Sequence, residues 1–289
     1  MGIEVIPSDQ ACGAEVRGLD LTKPRDEATI ADIRAAWLQH HVLAFTDQNI
    51  SDDDLERFTL YFGPFGDDPF IAPIPGRKHV IAVKRDADET SPIFAENWHT
   101  DWSFLAQPPI GTCLYSLVVP PVGGETSFID QHKALAAMPA ELRNTLEGLG
   151  AQHSARLSYA PDGRYVDNEN EADRSMKIVY SDEAREVYVH PLIIEHPESK
   201  QQALFGCFGY IVGLDGMAEE AAMELLFELY EWQTRDEFQY VHKWQPGMFV
   251  MWDNRSVLHK ANGGYEGYDR TLHRITIAAD EQKFLRASA

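Results

Sequence analysis

His99 and Asp101 stand two apart in NWHTDWSF (97–104), a spacing that puts both side chains on one face of an extended strand. An imidazole beside a carboxylate is either half of a metal site or an accident of sequence, and the spacing alone is weak evidence. With 11 histidines and 46 acidic residues in 289, roughly two His-x-acid tripeptides arise by chance. The chain holds two, the other being His196-Pro197-Glu198. A non-haem iron centre needs two imidazoles and one carboxylate on one face, with positions left open for oxygen and substrate. His259, in MWDNRSVLHKA (251–261) after the apolar run GMFVMW, can supply the distant third ligand. A histidine there also has a purely structural reading, as a core imidazole with its hydrogen bonds satisfied.

GYDRTLHRITI (267–277) shifts the weight toward chemistry. As a strand it places Arg270, Leu272, Arg274 and Thr276 on one face. Two arginines on an inward face are costly unless anions meet them. Guanidinium is suited to gripping carboxylates through paired hydrogen bonds, so the two suggest one anion on a cosubstrate and one on a substrate. Carboxylates of the protein itself are the alternative partners.

With these residues assembled, the chain resembles the TauD/TfdA family of Fe(II)- and 2-oxoglutarate-dependent dioxygenases along nearly its whole length. GAEVRGLDLTKP (13–24) is similar to the family's N-terminal strand pair, and NWHTDWSFLAQPP (97–109) to its His-x-Asp segment. PPVGGETSFID (120–130) resembles the strand with a cosubstrate-binding threonine, and WQPGMFVMWDNRSVLHKA (244–261) the distal-histidine segment. The separations of 11 and 15 from His259 to Arg270 and Arg274 also fit the family. The resemblance implies that His99, Asp101 and His259 ligate iron. It implies that Arg270, helped by the Thr126 hydroxyl, holds the distal carboxylate of 2-oxoglutarate, and that Arg274 meets an acidic group on the substrate. Fe(II), 2-oxoglutarate and O2 are the implied cofactor and cosubstrates, and a homo-oligomer is a family-based expectation.

Within that resemblance the chain departs from the taurine enzyme. Ala95 stands where that enzyme has asparagine, two residues before the Asn-Trp-His run. The loop DDPFIAPIPG (67–76) carries Phe70 and Ile71 in place of polar His and Tyr. Tyr159, Phe208 and Tyr210 fall where the resemblance puts pocket walls. An anionic substrate with an apolar body is therefore expected, such as an aryloxyalkanoate, alkyl sulfate or sulfonate, hydroxylated and in some cases thereby cleaved. Trp98, Trp102, Phe104 and Trp252 flank the ligands, either as core or as a dry shell. The alternatives are another metal-dependent jelly-roll enzyme, such as a cupin isomerase or hydrolase, and a non-catalytic jelly-roll binding protein.

The elements that must position these residues are irregularly ordered. Helices are expected at 26–40, 52–62, 131–148 and 218–234. Strands are expected at 3–6, 14–20, 41–46, 78–83, 111–118, 124–129, 186–194, 247–252 and 271–279. The polar segment 159–184 has no clear period and suggests a lid or an irregular insertion. Strands dominating the centre and C-terminal half suggest one domain over 1–289, a distorted double-stranded β-helix (jelly-roll, cupin-like) with flanking helices. A net charge of −21 argues against nucleic acid and anionic membranes as partners. No leader-like or membrane-spanning run is present, and the three cysteines are too scattered for a disulfide framework, so a cytoplasmic location is expected.

Overall fold

Short apolar runs bounded by turn residues become strands, and apolar periodicity behind an Asp or Ser cap becomes helix. The computed structural model describes residues 3–166, 174–279 and 286–287. The first part holds β1 (Glu4–Pro7), β2 (Ala14–Arg17), α1 (Glu27–His40), β3 (Val42–Phe45), α2 (Asp52–Thr59) and β4 (Ile81–Arg85). The middle holds β5 (Gly111–Val118), β6 (Thr126–Asp130), α3 (Gln131–Ala136), α4 (Ala140–Leu146), β7 (Gly150–His153) and α5 (Arg156–Tyr159). There follow β8 (Tyr188–Pro191), β9 (Ile193–Glu195), β10 (Gln202–Leu204) and β11 (Ile211–Leu214). The last part holds α6 (Glu219–Gln233), β12 (Gln239–His242), β13 (Phe249–Asp253), β14 (Val257–Ala261), β15 (Arg270–Ile277) and β16 (Arg286–Ala287).

Seven strands make the main sheet, in the order β1-β2-β3-β13-β5-β15-β4. Only the β2–β3 pair in it is parallel. β13 is buried at every residue because it lies inside the sheet, between β3 and β5, with both faces covered. Three smaller sheets stand apart from it: β12-β6-β14, β11-β7-β8 and β10-β9-β16. Phe128 of β6, Val250 and Trp252 of β13, Val257 of β14 and Leu272 of β15 share one apolar cluster, which joins the β6 sheet to the main sheet. Trp37 of α1 and Phe58 of α2 close the other face of the main sheet over Phe45 and Phe249. The result is the expected double-layer jelly roll with helices outside.

Local chemistry explains both the agreements and the differences. Asp26 caps α1 by accepting from Thr29 N, and Ser51 with Asp54 forms a full capping box on α2. The expected helix 131–148 is two helices, because Pro139 cannot continue the first and instead precedes the second. The expected strand 186–194 breaks at Leu192 into β8 and β9, which pair with different partners. β14, the strand that carries His259, was not among the expected strands. The expected lid at 159–184 includes 167–173, which lie outside the described residues. Of the remainder, 177–179 lies against 70–72: Ala72 N donates to Lys177 O (3.0 Å) and Val179 N to Phe70 O (2.9 Å).

Candidate metal centre and substrate cavity

His259 is fixed by β14, which pairs with β6, and His99 is fixed to it directly. The two exchange backbone hydrogen bonds, His99 N to His259 O (3.0 Å) and His259 N to His99 O (2.8 Å). This isolated bridge corrects the expected strand geometry: His99 is one paired residue, and Asp101 already lies in a turn. Trp102 follows with φ of +48°, in the left-handed region, where the chain reverses. The turn delivers what the strand was expected to deliver. Asp101 Oδ1 lies 3.7 Å from His99 Nε2 and Oδ2 lies 3.6 Å from His259 Nε2. One ligand atom from each of the three residues lies within 4.8 Å of the others. The separations are too long for good hydrogen bonds and suit a cation held between them.

Hydrogen bonds prepare each ligand. His99 Nδ1 donates to Asn97 O (2.8 Å), which leaves the Nε2 lone pair facing Asp101. Burial, and next the neighbouring His99, lower the His259 pKa to about 3, so that imidazole is neutral at ordinary pH. Burial pushes the Asp101 pKa up, but the Arg274 guanidinium outweighs it and holds the carboxyl well below the usual range. A relay ending on Asp101 was not visible in the sequence. Trp252 Nε1 donates to Asn254 Oδ1 (2.9 Å), Asn254 Nδ2 to Thr112 Oγ1 (3.0 Å), and Thr112 Oγ1 to Asp101 Oδ2 (2.6 Å). Each donor in turn leaves the next group only one way to point its hydrogen.

The second His-x-acid pair does a different job. His196 Nδ1 accepts from Glu198 N (3.2 Å) and Ser199 N (3.1 Å), so its Nε2–H donates to Asp253 Oδ2 at 3.0 Å. Asp253 also takes the Arg255 side chain at 2.9 and 2.6 Å, and Glu198 bridges Arg255 to Arg34 of α1. This buried network braces the β13–β14 turn behind His259. It holds structure, not metal.

One cavity is lined by His99, His259, Thr126, Arg270, Arg274 and Ala95, with Val83, Phe94, Leu114, Trp252 and Ala261 completing its walls. Arg270 and Arg274, four residues apart on β15, differ sharply in it. Arg270 is buried and, among the described residues, meets no carboxylate. Its Nε donates to Gly124 O (3.3 Å), and its guanidinium lies 6.0 Å from the Tyr265 ring. Burial lowers its pKa accordingly. Arg274 has two carboxylates: Nη1 donates to Asp101 Oδ1 (3.1 Å) and Nη2 pairs with Asp68. Protein carboxylates therefore meet one of the two arginines and not the other. Thr126 Oγ1 accepts from Trp244 Nε1 (2.9 Å), so its own proton is left for another acceptor.

Of the expected pocket walls, Ala95 lines this cavity, and Phe70, Tyr159, Tyr210 and Phe208 are not among its lining residues. Phe70, Tyr159 and Tyr210 share a cluster with Trp102 and Phe104, with Phe70 stacked on Tyr159 at 5.0 Å and Tyr210 edge-on to His99 at 6.1 Å. Phe208 does not belong there. It is 37% exposed and meets Tyr230 of α6, because 207–210 is a turn in which neighbouring side chains diverge. Ala95 reaches the cavity with φ of +62° and takes Ala261 N on its carbonyl (2.9 Å). Trp98, Trp102, Phe104 and Trp252 are all core residues.

The sequence pattern of the Taurine catabolism dioxygenase TauD, TfdA family matches residues 4–276. The chain belongs to the TauD/TfdA family. An alkylsulfatase of Acinetobacter baylyi is 32% identical over 270 residues, spanning 93% of this chain and 82% of that protein. An alpha-ketoglutarate-dependent 2,4-dichlorophenoxyacetate dioxygenase of Cupriavidus pinatubonensis is 30% identical, spanning 97% of this chain and 99% of that one. The solved structure of AAD-2 in complex with Mn(II) and N-oxalylglycine superposes with a TM-score of 0.81. Its identity is 26%, over 97% of this chain and 99% of that one. This TauD/TfdA chain is a 2-oxoglutarate-dependent dioxygenase, an oxidoreductase that works with Fe(II), 2-oxoglutarate and O2. Two imidazoles and an ionised carboxylate, which His99, His259 and Asp101 bring together, are a donor set that suits such an iron.

Proposed function

We propose that this TauD/TfdA enzyme oxidises a small anionic organic molecule with an apolar body, such as an alkyl sulfate, a sulfonate or an aryloxyalkanoate, releasing succinate and CO2. His99, Asp101 and His259 hold Fe(II). Arg270 and the Thr126 hydroxyl bind the distal carboxylate of 2-oxoglutarate, and Arg274 receives the substrate's anionic head. Bound Fe(II) supplies the activation of O2 that couples cosubstrate decarboxylation to oxygen transfer. The protein orients both organic partners and keeps water out.

The observation that carries this reading is Arg270, a buried guanidinium that meets no carboxylate among the described residues, in a cavity that both ligand histidines line. A buried cation of that kind is costly alone and favourable once a dicarboxylate enters. Substrate chemistry is supported by the buried cluster of Phe70, Tyr159 and Tyr210 with Trp102, whose ring lies against Arg274 and which offers apolar contact beside it. Two relatives point the same way: one is an alkylsulfatase and one acts on 2,4-dichlorophenoxyacetate. When the hydroxylated carbon also bears an ether or sulfate-ester oxygen, the product collapses and the net outcome is cleavage. The chain acts as a single domain over 1–289 in the cytoplasm, a location supported by three buried free cysteines.

Succinate release with alkyl sulfates, aryloxyalkanoates, sulfonates and taurine tests the proposal. Substrate-dependent succinate with an apolar-bodied anion, above that with taurine, is the expected result. Taurine as the best substrate, or stimulation only by cations, would overturn it.

A further inference from the structure

Arg274 does not face the cavity free. Its Nη2 pairs with Asp68 Oδ1, and the same oxygen accepts from Trp102 Nε1 at 2.8 Å. The Trp102 ring in turn lies against the guanidinium, 4.8 Å from its carbon. Asp68 thus has two donors and a stacked support, all buried. Asp101, the other carboxylate on Arg274, belongs to the metal centre. Asp68 has no such task. It opens the 68–71 turn, closed by Ile71 N to Asp68 O (3.4 Å), and that turn carries Phe70 and Ile71 into the aromatic wall.

An anionic head arriving at Arg274 finds Nε without a partner among the described residues, but it can take Nε and Nη2 together, the paired grip of a guanidinium edge, only where Asp68 now sits. Two anions on one buried edge repel, so one must leave. Asp101 is tied to the metal site and to Thr112, which makes Asp68 the group to be displaced.

We propose that Asp68 is a specificity-determining residue, a built-in competitor that holds Arg274 until a substrate anion displaces it and moves the 68–71 turn with Phe70. The inference rests on Arg274 being the site of the substrate's anionic head. Its consequence is a sorting of anions between the two arginines of one cavity. Arg270 lacks a carboxylate and takes 2-oxoglutarate directly, whereas Arg274 is closed to small acids, including a second cosubstrate molecule. Only an anion whose apolar body gains contact with Phe70, Tyr159 and Tyr210 recovers enough binding to open it. The fraction of enzyme with Asp68 released sets the apparent affinity.

The test is binding, not turnover. Wild type, Asp68→Asn and Asp68→Ser, loaded anaerobically with Fe(II) and 2-oxoglutarate, are titrated calorimetrically with hexyl sulfate and with inorganic sulfate. Asp68→Asn keeps the shape and removes the charge; Asp68→Ser repeats the test with a side chain too short to reach the guanidinium. Both variants should bind inorganic sulfate at least about ten-fold tighter than wild type, with a smaller preference for hexyl sulfate over sulfate. Adding Arg274→Gln should abolish the gain. Equal affinities in all three proteins, or weaker binding in the variants, overturn the role of Asp68 while leaving Arg274 as an anion site. No binding of either sulfate to any of the three overturns the anionic reading of Arg274 and this inference with it.

Discussion

Replacing Arg270 by methionine should separate the cost of this residue from its use. Arg270 is 5% exposed, and no carboxylate among the described residues reaches it. In the protein without cosubstrate it is therefore a desolvated charge whose polar contacts among the described residues are the Gly124 carbonyl and the Tyr265 ring. Methionine fills similar space without the charge, so unfolding free energy without ligand should match or exceed wild type. With 2-oxoglutarate the sign reverses. Removing one partner of a buried, hydrogen-bonded charge pair costs about 2–5 kcal/mol. That is about 30-fold to several thousand-fold in affinity. Thr126 alone offers one neutral hydrogen bond and recovers little of it. Anaerobic calorimetry of 2-oxoglutarate binding to Fe(II)-loaded protein, paired with urea unfolding of the metal-free protein, measures both halves. Affinity within about three-fold of wild type, or a metal-free protein destabilised by more than about 2 kcal/mol, would refute the reasoning.

His99→Ala or Asp101→Ala should abolish substrate-dependent succinate formation; wild-type turnover in either would break the triad assignment. Thr112→Val removes the 2.6 Å hydrogen bond to Asp101 Oδ2 and should weaken Fe(II) binding by about 10- to 100-fold, read by metal titration. Asp253→Asn strips the buried Arg255 of its nearest charge and should cost about 3–5 kcal/mol of stability in chemical unfolding. Burial lowers the pKa of His41 to about 3 and of His242 to about 4. Both folded values lie below the unfolded one, so the unfolded chain takes up protons the native chain refuses. Stability is full above about pH 6.5 and is lost as pH falls, by about 1.4 kcal/mol per unit for each histidine. Denaturant unfolding at pH 7.5 and pH 5 should differ by about 4 kcal/mol from these two residues.

What was legible in the sequence followed from residue type. His99, Asp101, His259 and Arg270 are costly to bury without a purpose, and their spacing matched a known family, so they could be named before any fold was known. What escaped notice was their support. Asn254 lies two residues after Trp252, but its bond to Thr112 spans 142 positions. Asp68 meets Arg274 across 206 positions and Trp244 meets Thr126 across 118, and nothing in a linear pattern marks such contacts. Local geometry misled where a turn replaced a strand. Phe208 and Tyr210 share a side only in extended chain, and the 207–210 turn sends them apart. His99 is held by its bridge to His259 and Asp101 already lies in a turn, yet the two converge with Thr112 and Arg274 holding the carboxylate. Pro139 was visible in the expected helix 131–148, and its effect as a breaker was the readable signal that the split into α3 and α4 required.

The His99–Asp101–His259 triad and Arg270 are proposed to work as a single iron and 2-oxoglutarate site around one cavity. Anaerobic addition of Fe(II) and 2-oxoglutarate to the protein tests it most directly, because chelation of the cosubstrate by bound iron gives a visible charge-transfer band. The band is expected in wild type, is lost in Asp101→Ala, and returns in Arg270→Met only at much higher 2-oxoglutarate. A colourless wild-type mixture at saturating Fe(II) and 2-oxoglutarate would contradict it.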